Sequence, residues 1–133
     1  MIIEPGSERL EKLIADFWSR LDYPGTPPKV KIHSREEYVE ETGNDKTVAR
    51  YSPEKGQISL LPEIVLTIKP LLHELAHHLQ SSHLGSAKFI RTYDEYTEEF
   101  GYDANPYEVE ARKFEAKWWP DFERLLKMEL GIE

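Results

Sequence analysis

A chain of 133 residues with 39% hydrophobic and 11% aromatic residues is one globular domain with room for a modest core, and its low mean hydropathy comes from charge rather than disorder. A formal charge of -8 argues against nucleic acid or an anionic membrane surface as the main partner, since neither would gain counterion release or attraction. Cysteine is absent, so disulfides and thiolate zinc sites are excluded and any metal must be held by His and carboxylate side chains.

The N-terminal stretch MIIEPGSERLEKL has no positive region followed by an apolar run, and no apolar run in the chain is long enough to span a bilayer. The expectation is a soluble, cytoplasmic protein with no membrane partner. Asn occurs only at 44 and 105 and Gln only at 57 and 80, beside abundant Glu, Lys and Arg, a composition like that of thermophile proteins.

Ser7 precedes Leu10, Leu13, Ile14, Phe17, Trp18 and Leu21 at helical spacing, which predicts a capped amphipathic helix over about 8–22. Pro24-Gly25-Thr26-Pro27-Pro28 ends it. Lys29 to His33 alternates polar and apolar residues as a half-buried strand does, with His33 read as a strand surface residue and not a ligand. Ser34 with Glu37 forms a capping box for a short helix through about Glu41. Thr47 to Tyr51 and Gln57 to Leu61 read as two strands joined by the turn Pro53-Glu54-Lys55-Gly56, giving a hairpin that Pro62 stops.

Pro70 would break a continuous helix unless it sat in the first turn, and Thr67 suits as the cap, so the next helix is placed from about Ile68 to about Ser82. After Gly85, Ser86 caps a helix through about Phe100 whose apolar side is Phe89, Ile90, Tyr93, Tyr96 and Phe100. Asn105 and Pro106 are a cap and a first-turn proline, opening a helix that packs through Val109, Phe114 and Trp118. A final helix after Pro120 carries Phe122, Leu125, Leu126 and Leu130 before Gly131-Ile132-Glu133. Repeats, linkers and low-complexity segments are absent.

The chemistry is concentrated in His73-Glu74-Leu75-Ala76-His77. At about 3.6 residues per turn, positions four apart share a helix face, so the two imidazoles can converge on one metal ion. Glu74 lies about 100° round, outside the coordination shell yet close enough to act as general base. Leu71, Leu72, Leu75, Ala76 and Leu79 form an apolar stripe that half-buries this helix.

Two imidazoles leave a catalytic zinc one protein ligand short, since such sites usually take three and keep a fourth position for water. Glu108 lies in the first turn of the helix that Asn105 opens, beside the small Ala111, whereas Glu110 points about 160° away from it. A first-turn carboxylate is favoured by the helix dipole without any metal. An upstream metal helix lacking a ligand, in so compact a chain, makes Glu108 the expected third ligand.

With these residues the sequence resembles the gluzincins, metallopeptidases with a His-Glu-x-x-His helix and a zinc-binding Glu on a later helix, and in particular the minigluzincins. The likeness covers about residues 57–115 and rests on His73 to His77 and on Asn105-Pro106-Tyr107-Glu108-Val109-Glu110-Ala111. It implies a single zincin-like α+β domain: a small twisted sheet of about three strands packed on the N-terminal and metal-binding helices, then an all-helical C-terminal half. It further implies Zn2+ held by His73, His77 and Glu108, Glu74 as general base, and a peptide or unfolded protein as substrate. Several gluzincins carry an Asp four residues after the ligand Glu, where it orients a ligand His; here that position is Arg112.

The likeness also gives Ile58 to Leu61 the role of the edge strand that pairs with substrate. Tyr51, Tyr93, Tyr96, Tyr102, Tyr107, His78 and His83 are all available to stabilise an oxyanion, and His78 reads as a surface or hydrogen-bonded residue, not a fourth ligand. Members of the family are regarded as latent proenzymes, so Asp121 to Leu130 and the tail Gly131-Ile132-Glu133 could cover the cleft, although a solvated terminus is the plainer expectation. The alternative from another class is a non-catalytic, metal-stabilised binding or regulatory module.

Overall fold

The computed structural model describes residues 7–21, 25–43, 47–61 and 64–130. Along them run α1 (Ser7–Leu21), β1 (Lys29–Ile32), α2 (Arg35–Thr42), β2 (Ala49–Ser52), β3 (Gln57–Leu60), α3 (Ile64–Leu84), α4 (Ser86–Phe100) and α5 (Pro106–Leu130). This is an α+β arrangement, mostly helical, with one small mixed sheet.

The sheet order is β1-β3-β2. The turn at Pro53 to Gly56 joins β2 and β3 as an antiparallel hairpin in which Ala49 faces Leu60 and Ser52 faces Gln57. β1 lies parallel to β3 in the register Lys29 to Gln57 through Ile32 to Leu60. A parallel pair requires a crossover, and α2 occupies it. The capping box forms: Ser34 Oγ accepts from the Glu37 amide at 3.3 Å and donates to Glu37 Oε1 at 2.9 Å, and Gly43 ends the helix in the left-handed region at φ 68°.

One apolar cluster joins the layers. Leu10, Ile14, Phe17 and Trp18 of α1 meet Val30, Ile58 and Leu60 of the sheet, Leu71, Leu72 and Leu75 of α3, and Phe122 and Leu125 of α5. Phe17 lies edge-on to Phe122 at 5.1 Å and to Trp118 at 6.0 Å.

Three expectations change. β3 is the central strand and not the edge; its four residues are buried between β1 and β2, and the strand facing the metal helix from the sheet's free side is β2. β1, at the other edge, is closed off by α1, whose Glu11 Oε2 accepts the Val30 amide at 3.0 Å. α3 begins at Ile64 and runs through Pro70, because the one backbone bond a proline forfeits is outweighed by burying Leu71, Leu72 and Leu75 behind it. α5 likewise continues through Pro120 as a single helix, held on both sides of that residue by Ala111, Phe122 and Leu125.

Candidate metal centre

Two helices supply the cluster. α3 presents His73 and His77 one turn apart, with ring centroids 5.0 Å from each other. Ala111 is fully buried on α5, and so small a side chain lets α5 approach α3 closely enough for Glu108 to reach both imidazoles. Glu108 Oε1 lies 2.7 Å from His73 Nε2 and 3.2 Å from His77 Nε2. Ligand atoms of His73, His77 and Glu108 all fall within 4.8 Å of one another.

Asn105 fixes the start of α5. Its Oδ1 accepts the Tyr107 amide at 2.9 Å, and its Nδ2 reaches back to α4, donating to the Tyr93 carbonyl at 3.1 Å and to Thr97 Oγ1 at 2.9 Å. One fully buried amide therefore caps the helix that carries Glu108 and ties it to α4.

The imidazoles have outer partners that were not foreseen. His77 Nδ1 donates to Gln80 Oε1 at 2.9 Å, which leaves Nε2 facing the cluster, protonated toward Glu108 in the metal-free protein and able to offer its lone pair to a metal ion once that proton is lost. Gln80 spends its own amide hydrogens on the Tyr107 carbonyl at 3.0 Å and on Glu110 Oε1 at 3.1 Å. Glu110 is thus no ligand but anchors the residue that orients one. On the other ring, His73 Nδ1 faces Glu115 Oε2 at 3.6 Å. Arg112 turns away and donates to the Asp103 carbonyl, so the orienting groups come from positions 80 and 115. Gln80, three residues past His77 on the same helix, had a spacing that could have revealed it; Glu115, seven past Glu108, did too.

Glu74 and His77 line one pocket of about 330 Å³ together with Glu108, walled by Ala49, Arg50 and Tyr51 of β2 and by Phe89, Ile90 and Tyr93 of α4. Burial pushes the Glu74 carboxyl above its ordinary value, the His77 and His73 charges opposing and Glu108 adding to the shift. Glu108 moves the other way. Burial disfavours its charge, but hydrogen bonds from His73 and His77, the His77 charge and the Tyr93 hydroxyl hold it well below the usual carboxylate range. His77 is raised, burial being overcome by its bond to Glu108 and by the charges of Glu74 and Glu108.

Of the aromatic candidates, Tyr51, Tyr93 and Tyr102 line the pocket. The Tyr51 hydroxyl is committed to His78 Nδ1 at 2.8 Å, and His78 Nε2 donates to the Thr26 carbonyl at 2.7 Å, so His78 is the hydrogen-bonded residue expected and stands outside the cluster. Tyr96 and Tyr107 pack against each other on α4 and α5. His33 and His83 stand outside the cluster too. In the segment from Asp121, Phe122 and Leu125 are buried in the core. The tail Gly131-Ile132-Glu133 lies outside the described residues.

Two imidazole nitrogens and one carboxylate oxygen, His77 and Glu108 buried and His73 half-buried, with one imidazole's far nitrogen already bonded, form a donor set that fits a first-row divalent cation. No described helix is long and apolar enough to cross a membrane. No protein-family model, curated protein or solved structure matches this chain, so the reading of the cluster rests on its own chemistry.

Proposed function

We propose that the protein is a zinc-dependent peptidase of minimal gluzincin type, acting on peptides or unfolded protein segments. The observation that carries this reading is that Glu74, a carboxylate with a raised pKa, lines the same pocket as His77 and Glu108. A helix that merely held a structural ion would gain nothing from placing a half-buried carboxylate in that pocket.

When bound, Zn2+ would polarise the scissile carbonyl and lower the pKa of water at the site. His73, His77 and Glu108 would hold it, with Gln80 and Glu115 fixing the rings. Glu74 takes a proton from the attacking water onto its carboxylate oxygen and hands it to the leaving amine. Arg50 and Tyr102, both lining the pocket, are donors available to the carbonyl oxygen as it gains charge.

β2 orients the chain to be cut. The Leu61 amide bonds the Val48 carbonyl at 3.1 Å, and by the alternation of an antiparallel ladder the amide and carbonyl groups of Ala49 and Tyr51 then face away from β3. An extended peptide can add there as a further strand.

Replacing the base tests the mechanism. Glu74→Gln is expected to keep stoichiometric zinc, measured by elemental analysis, and to lose hydrolysis of an unfolded protein substrate. A variant that retains the parent rate rules this mechanism out.

A further inference from the structure

Glu108 gives its two oxygens to different partners. Oε1 faces the Nε2 atoms of His73 and His77, whereas Oε2 accepts a hydrogen bond from the Tyr93 hydroxyl. Only 2% of the residue is exposed, so these protein groups are its main partners. We infer that Tyr93 sets the denticity of Glu108, holding Oε2 out of coordination so that a metal ion receives Oε1 alone and one position stays open for substrate and water.

The phenol is built to hold that bond. Its ring stands edge-on to His77 at 6.1 Å, contacts Phe89 at 5.9 Å and stacks on Tyr107 at 6.5 Å. Two torsions alone position it, so packing the ring fixes the oxygen at small entropic cost. Its backbone is held by Asn105 Nδ2, the same side chain that caps α5 three residues before Glu108. Donor and acceptor are therefore referred to one buried amide, and the bond survives small movements of α4 against α3.

The chemistry makes the bond consequential. A small dication with two imidazoles and one carboxylate oxygen has its fourth position vacant for reaction, whereas a carboxylate free to swing its second oxygen inward fills that position. A hydroxyl donating to an ionised carboxylate makes a strong, short bond that competes with this swing. Tyr93 is in this sense a positioning residue, acting through Glu108.

This inference rests on the metal-dependent reading of the cluster, and Co2+ distinguishes the two. Wild-type protein loaded with Co2+ is expected to show the intense visible absorption of a four-coordinate ion. Tyr93→Phe is expected to bind Co2+ and show the weaker bands of a five-coordinate one. Tyr107→Phe, which keeps the stacked ring and leaves the Glu108 bond untouched, serves as the packing control and is expected to match wild type. An unchanged spectrum in Tyr93→Phe, or an equal change in both variants, overturns the inference. Wild-type protein that takes up no Co2+ and no Zn2+ instead removes the metal-dependent reading itself. Should Tyr93→Phe fail to fold, X-ray absorption at the zinc edge of loaded wild-type protein decides: a carboxylate carbon at chelate distance overturns the inference, and one at the longer single-oxygen distance supports it.

Discussion

Glu74 meets two opposed demands, since a base must be ionised to work while its place in the pocket disfavours ionisation. Burial raises its pKa against the pull of His77 and His73, so ionising the carboxyl in the metal-free protein costs stability. Glu74→Gln is therefore expected to raise the thermal midpoint of the metal-free protein by roughly a few degrees while abolishing activity. A lowered midpoint would mean that the carboxylate is held by partners and not strained. The ligands order themselves just as concretely. Glu108→Ala is expected to lose most of the zinc affinity, Gln80→Ala to lose about 10 to 100-fold by freeing the His77 ring, and Glu110→Ala to lose less than Gln80→Ala. Competition with a chromophoric chelator measures all three, and equal losses at 108 and 110 would undo the assignment. At this scale the sequence was most readable where spacing alone fixes a shared face, as for His73 and His77, whereas Glu108, on another helix, followed from the ligand that those two lacked. Tyr93 was one of several equivalent aromatics in the sequence, because nothing local distinguishes a phenol that meets Glu108 from one, Tyr107, that only stacks beside it.

At the scale of elements, local rules gave the right pieces where local energies dominate. The cap of α2, the α1 apolar face and the Pro53 to Gly56 hairpin all form as their residues predict. They failed at both internal prolines, for the same reason: Pro70 and Pro120 each forfeit a helix bond, but Leu71 and Leu72 after the first, and Phe122 and Leu125 after the second, are buried in the core. Tertiary burial overrode propensity there. Strand order was unreadable for a different reason. Gln57 to Leu60 and Ala49 to Ser52 are both short, and only the parallel pairing of β1 with β3, a long-range contact, makes β3 central. Under the proposed function, that correction makes β2 the strand on which substrate would add and supplies a test on the substrate side. In a peptide substrate N-methylated one position at a time, alternate positions are expected to lose affinity while those between tolerate the change, the period-two signature of strand addition. Uniform tolerance would mean that β2 does not bind the backbone.

For the whole molecule, the buried cluster couples folding to protons and to metal in opposite senses. Glu108 has a depressed pKa, so its contribution is present above its ordinary value of 4.5 and lost as pH falls through the lower folded value. His77 is raised, so its contribution is full below 6.5 and lost as pH rises through the higher folded value. His78, lowered by burial against the Thr26 carbonyl, runs the other way: its contribution is present above 6.5 and lost as pH falls. The metal-free protein should therefore be most stable near pH 6.5, and lose stability as pH rises from there through the raised pKa of His77. Zinc requires His77 without its second proton, so its affinity increases over the same interval in which the ion pair weakens. Thermal midpoints taken from about pH 6.5 to about pH 8.5 are expected to fall in chelator and to hold or rise in excess zinc, the gap widening with pH. Glu74 also has a raised pKa, whose effect on stability has the same sign; repeating the series in Glu74→Gln isolates the part owed to His77. Parallel curves with and without zinc would show that the cluster does not exchange protons for metal, and would leave the buried His77 and Glu108 pair as a structural ion pair alone.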